Sequence, residues 1–117
     1  MVQLLELLTT AWFVGKISNM KAKLLVRQRT IVSESAFAEM VVWEVPNPPK
    51  GSKHGFKYRL ALVVNGVCVL RYDNEAGKGD HRHLDGLESD YEFVSPRQLA
   101  SDFFKDIERY RHEHLNN

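Results

Sequence analysis

At 117 residues, with 44% hydrophobic and 26% charged residues, the chain has the size and composition of one soluble globular domain, which excludes disordered, collagen-like and two-domain architectures. A single cysteine, Cys68, forbids an internal disulfide, excludes stapled secreted scaffolds and predicts a reducing, cytoplasmic setting. The net charge of +1 hides an asymmetry: Met20 to His83 holds eleven Lys/Arg against six Asp/Glu, and Leu84 to Asn117 holds four against eight, so a basic body able to meet a polyanion precedes an acidic tail.

The first segment, Met1 to Asn19, carries an apolar run of Leu4, Leu5, Leu7, Leu8, Ala11, Trp12, Phe13 and Val14, interrupted by Gln3, Glu6 and Gly15. It is shorter than the roughly 20 apolar residues of a bilayer span and lacks the basic start and cleavage site of a secretory signal, so no membrane association is expected. Residues 1-19 read as a peripheral segment, either an amphipathic helix packed on the body or an extension upstream of a natural start at Met20. Residues 20-117 read as a single domain.

Lys23 to Val32 reads as a charged strand with Leu25, Arg27 and Arg29 on one face. Its basic face suits a solvated edge strand protected from aggregation, with phosphate contact as the sharper alternative. Phe37 to Val45 places Phe37, Glu39, Val41, Trp43 and Val45 on one side and Ala38, Met40, Val42 and Glu44 on the other, and the proline-rich stretch from Pro46 stops it. Phe56 to Val64 and Val67 to Asn74 flank Asn65-Gly66, the strongest short hairpin signal. A regular two-residue loop pairs Val64 with Val67, Leu62 with Val69, Leu60 with Arg71, Arg59 with Tyr72, Tyr58 with Asp73 and Lys57 with Asn74, which gathers a polar, partly basic mouth far from the turn. Tyr72 and Trp43 read as core or rim aromatics, with base stacking as the alternative.

Ser95-Pro96-Arg97-Gln98 is a capping box with proline at the first helical position. Leu99, Phe103, Ile107 and Tyr110 then form an apolar stripe with Phe104 beside it, while Asp102, Asp106, Glu108 and Glu113 are expected to face water or a partner. The fold class is α+β: a small antiparallel meander of about four strands backed by a C-terminal amphipathic helix.

Tyr72 to His83, YDNEAGKGDHRH, concentrates residues that no core-packing rule asks for. His81 and His83 are two apart, so in extended chain both imidazoles point to one side and can divide general base and general acid duties. The loop at residues 46 to 55 must lie at the same end of the sheet, which brings Lys50, Lys53 and His54 close to Lys78, His81, Arg82 and His83. The bland reading is a solvated loop or a structural hydrogen-bond network. A zinc site would draw on His81, His83 and either His54 or Asp80, a weak pattern with one cysteine and no HExxH motif. His112 and His114 diverge on a helix and read as tail residues.

MKAKLLVRQR from Met20, VVWEVP, FKYRLALVVNGVCVLRYDN, GKGDHRH and FVSPRQLASDFFKDIERYR together resemble the TumE family of small toxins from prokaryotic type II toxin-antitoxin systems, over about Met20 to Arg111. The resemblance implies a cognate antitoxin that often carries a helix-turn-helix. Combined with the basic mouth, it leads to a toxin that cleaves RNA without metal or other cofactor. One of His81 and His83 would take the 2′-hydroxyl proton and the other protonate the leaving oxygen. Lys57, Arg59, Arg71 and Lys78 would stabilise the phosphate, Asp73 or Asp80 would orient an imidazole, and Asn74, Arg82 and His54 would add nucleic-acid contacts. The competing reading is a noncatalytic module that blocks its target by contact; a zinc-dependent hydrolase is a third. A homodimer and an antitoxin interface both remain open for the acidic last helix.

Overall fold

The computed structural model of the protein describes residues 21–115; the expectations for the N-terminal segment fall outside the described residues. Six antiparallel strands succeed one another across one sheet: β1 (Lys23–Ser33), β2 (Ala36–Glu44), β3 (Phe56–Val64), β4 (Val67–Asp73), β5 (His81–Leu84) and β6 (Leu87–Asp90). The helix α1 (Pro96–Tyr110) follows, and a π-helical turn, Arg111–Leu115, extends it. The α+β meander is present with six strands rather than about four. The two additional strands are joined by Asp85-Gly86, whose φ values of 50° and 83° match those of Asn65 and Gly66 at 50° and 78°. Both pairs have the double positive φ of a type I′ turn.

Side chains alternate between the two faces. One face presents Ala36, Ala38, Met40 and Val42 from β2, Tyr58, Leu60, Leu62 and Val64 from β3, and Leu70 and Tyr72 from β4, all buried in one core with Leu99, Phe103, Ile107 and Tyr110 of the helix. The helix starts as its sequence requires: the Ser95 side chain accepts from the Gln98 amide at 3.0 Å and Pro96 sits in the first turn.

The regular hairpin register does not hold beyond its first pairs. Val64 faces Val67 and Val63 faces Cys68, but Leu62 then faces Leu70, Leu60 faces Tyr72 and Arg59 faces Asp73. Val69 is the extra residue of a β-bulge, and its carbonyl accepts the Asp85 amide at 2.9 Å, at the turn of the next hairpin. The skip moves Leu70 and Tyr72 under the helix and turns Arg71 and Asp73 to the other face.

Asp106 is not at the surface. It is buried, accepting from Tyr72 Oη and, at 2.7 Å, from Arg82 Nε. Asp102 is half-buried and accepts from Tyr91 Oη and Gln98 Nε2. Both carboxylates are held at the helix–sheet boundary because neighbouring phenols would otherwise lose a partner on burial.

Phe103→Ala is expected to cost about 3–5 kcal/mol, read from urea denaturation, because Phe103 is fully buried at the centre of the stripe. Burial first, then donation to Asp80, Asp106 and Asp102 respectively, pushes the phenols of Tyr58, Tyr72 and Tyr91 upward. A group raised on folding stabilises fully below its unfolded value, near 10 for tyrosine, and that contribution is lost as pH rises above it. The urea midpoint should therefore stay flat with respect to these groups up to about pH 9 and fall above about pH 10, with phenolate absorbance from these three appearing only as the protein unfolds.

Candidate functional site

Partners across an antiparallel ladder share a face, so the face opposite the helix receives two rows that are polar apart from Ala61. Arg59, Asp73, His81 and Asp90 run across β3 to β6 in one row, and Ala61, Arg71, His83 and Glu88 in the next. With Glu75, Ala76 and Lys78 from the turn between β4 and β5, members of these rows line a cleft of about 270 Å³: Arg59, Arg71, Asp73, His81, His83 and Glu88. Of the residues singled out by sequence, it brings together His81, His83, Asp73, Arg59, Arg71 and Lys78.

The cleft is dense in charge. Arg71 Nε lies 2.6 Å from Asp73 Oδ2, Arg59 Nη1 lies 3.5 Å from Glu75 Oε1, and Lys78 Nζ donates to Glu88 Oε2 at 2.9 Å. Burial pushes the Glu75 carboxyl up, and the Arg59 guanidinium only partly opposes it. Glu88 goes the other way, its carboxyl held below the usual range by the hydrogen bond from Lys78.

His81 Nδ1 lies 3.0 Å from the Gly79 carbonyl oxygen. A carbonyl only accepts, so Nδ1 carries hydrogen and Nε2 is the nitrogen turned to the carboxylates, 3.5 Å from Glu88 and 3.4 Å from Asp90. His83 Nε2 lies 3.9 Å from the same Glu88 oxygen. Among the described residues, no group of three or more His, Cys, Asp or Glu side chains is arranged to hold a metal ion.

Asp80, Asn74, Arg82 and His54 do not line this cleft, and Lys57 does not either. Strand alternation sends Arg82 to the helix side, where it bonds Asp106 and Tyr72. Asp80 accepts from Tyr58 Oη at 2.6 Å and from His54 Nε2 at 2.8 Å. His54 Nδ1 accepts the Phe56 amide at 3.2 Å, which leaves Nε2 with the hydrogen that Asp80 receives, and its ring stacks on Phe93 at 3.8 Å. Asn74 is buried, with Oδ1 accepting the Tyr58 amide and Nδ2 donating to the Phe56 carbonyl and Ser52 Oγ. Lys57 is on the cleft's face of the sheet, two pairs beyond Arg59 and opposite Trp43, but it is buried. Tyr72 is buried in the core.

These residues build the wall behind the cleft. The loop from residue 46 to 55 lies against the turn at Gly77 to Asp80, as its place at one end of the sheet requires. The approach is backbone on backbone: a Cβ on Gly51 would stand 2.5 Å from the Gly79 nitrogen, and one on Gly79 would stand 2.8 Å from the Gly51 oxygen. Glu75, Ala76 and Glu88 complete the lining without having been singled out by sequence. The Asp85-Gly86 signal would have placed Glu88 across from His83.

Asp80→Ala is expected to cost about 2–3 kcal/mol in urea denaturation, since it removes the charged acceptor of Tyr58 and His54. Lys78→Ala, whose ammonium is largely exposed, should change stability by less than about 0.5 kcal/mol. Equal losses would contradict this division between wall and cleft.

A family model described as Toxin TumE matches residues 18–111, which takes in all six strands and α1. No curated protein matches the chain, and no solved structure does. None of the helices in the described residues is long and apolar enough to cross a membrane.

Proposed function

The chain belongs to the TumE toxin family, and from that premise we propose that its cleft cleaves RNA, with His81 and His83 as the general acid–base pair. Membership in a toxin family also implies a cognate antitoxin. The observation that carries the reading is that two histidines of one strand face the same cleft as Arg59, Arg71 and Lys78, where acid, base and phosphate-stabilising charge are within one small volume.

In this mechanism the nucleophile comes from the substrate. His81, held by the Gly79 carbonyl with Nε2 toward the cleft, takes the proton from a ribose 2′-hydroxyl as its oxygen attacks the neighbouring phosphorus. The bond from phosphorus to the 5′-oxygen breaks, and protonated His83 gives that oxygen a proton. The products are a 2′,3′-cyclic phosphate and a 5′-hydroxyl, with one proton taken and one returned. Arg71, aligned by Asp73, and Lys78 stabilise charge on the phosphoryl oxygens, and Arg59 meets the flanking backbone, while Lys57 is buried and takes no part. No metal enters the step. Asp80, Asn74, His54 and Arg82 serve by holding the loop and strand in place.

Induced expression of the chain should arrest growth of cytoplasm-matched host cells, and the His81→Ala/His83→Ala variant, folded and equally abundant, should not. Purified protein should generate 2′,3′-cyclic ends on RNA in the presence of a chelator, with each single histidine variant slowed about 10²–10⁴-fold. A second reading, a block by contact alone, draws on the pairing of Arg59, Arg71 and Lys78 with carboxylates, a pattern that also suits a charge-matched partner surface. Arrest that survives loss of both histidines but is abolished by Arg59→Glu or Lys78→Glu would establish that reading and overturn cleavage.

A further inference from the structure

We infer that the cleft holds a binding site for one phosphoryl oxyanion, and that the chain's own Glu88 occupies it as an internal competitor. The inference rests on the reading of the cleft as a phosphate-handling site, but not on cleavage.

The geometry is one of convergence. Lys78 Nζ at 2.9 Å, His81 Nε2 at 3.5 Å and His83 Nε2 at 3.9 Å all approach the same atom, Oε2 of Glu88. A carboxylate oxygen and a phosphoryl oxygen carry the same sign of charge and accept from the same donors, here the Lys78 ammonium and the imidazoles in their protonated form, so a pocket that gathers these groups on one suits the other. A glutamate is ionised at neutral pH, and the hydrogen bond from Lys78 favours that form further. Glu88 is therefore an anion in an anion's place.

Glu88 is also placed to leave. It belongs to β6, a four-residue strand exposed throughout, which pairs with β5 alone at the edge of the sheet. Its side chain is 35% exposed, and no core residue depends on it. Rotating it into solvent frees Lys78 and His83 and leaves His81 Nε2 with Asp90 alone, without disturbing the wall built by Asp80 and Asn74. Arg59 and Arg71 keep their own carboxylates, so the vacated oxygen position is where an incoming phosphate gains most.

The probe is inorganic phosphate, titrated into the full chain at constant ionic strength and followed through the imidazole carbon-bound proton shifts of His81 and His83. Glu88→Gln and Glu88→Ala should bind phosphate at least about tenfold more tightly than the wild type, which corresponds to about 1.4 kcal/mol, and Lys78→Ala in either background should remove that gain. Amide spectra that remain dispersed establish that each variant is folded. Unchanged or weaker phosphate binding in both Glu88 variants would overturn the proposal and make Glu88 a fixed partner of the imidazoles. Assay of RNA cleavage by the wild type separates the two readings. Tighter phosphate binding without cleavage refutes the ribonuclease and keeps the competitor, whereas cleavage with phosphate affinity indifferent to Glu88 does the reverse.

Discussion

One extra residue in β4 decides what each face of this protein can do. Strand side chains alternate strictly, so a ladder without an insertion would carry Arg71 opposite Leu60 and into the core. The bulge at Val69 shifts the alternation once, and from that point Leu70 and Tyr72 meet the helix while Arg71 and Asp73 meet the cleft. Strand β5 inherits the corrected phase through its pairing with β4, which puts His83 beside Arg71 and His81 beside Asp73. The cleft and the core are thus two outcomes of a single count.

The same alternation divides one polar stretch between two kinds of work. In Asp80-His81-Arg82-His83, the histidines go to the cleft, while Asp80 and Arg82 reach the other side and satisfy buried or half-buried phenols. Polar groups on the helix side are costly unless bonded, and three phenols there have partners: Tyr58 with Asp80, Tyr72 with Arg82 and Asp106, Tyr91 with Asp102. Rigidity behind the cleft comes from these bonds and from the contact of Gly51 with Gly79, so the imidazoles stand on a braced strand although they follow a glycine-rich turn.

Much of this was legible in the residues. The Ser95 cap, the stripe from Leu99 to Tyr110, the Asn65-Gly66 turn and the shared side of His81 and His83 all follow from local rules that tertiary structure did not override. The bulge was not, because Val67-Cys68-Val69-Leu70 is strand-forming throughout and bears no local mark of an insertion. Strand β6, Leu-Glu-Ser-Asp, lacks apolar alternation because it is exposed on both sides, and with it went Glu88; only the Asp85-Gly86 pair announced it. Asp106 sits between Phe103 and Ile107 on the apolar stripe, a position where a carboxylate signals a buried partner. Its partners, Tyr72 and Arg82, come from distant strands that helical periodicity does not reach. The cluster of Asp80, His54, Asn74 and the cleft residues was correctly brought to one end of the sheet, but nearness in sequence does not reveal which face each member takes.

The strand order has a further consequence for when the molecule becomes complete. Each strand bonds only to strands adjacent to it in the chain, so hairpins close over short loops and pay little entropy to do so. Every lining residue of the cleft, from Arg59 to Glu88, is synthesised before Pro96, yet the sheet has no helix over its apolar side until Tyr110 has been added. The lining of the cleft is laid down first and its support arrives later. A toxin arranged this way has no supported cleft until its chain has been made through Tyr110.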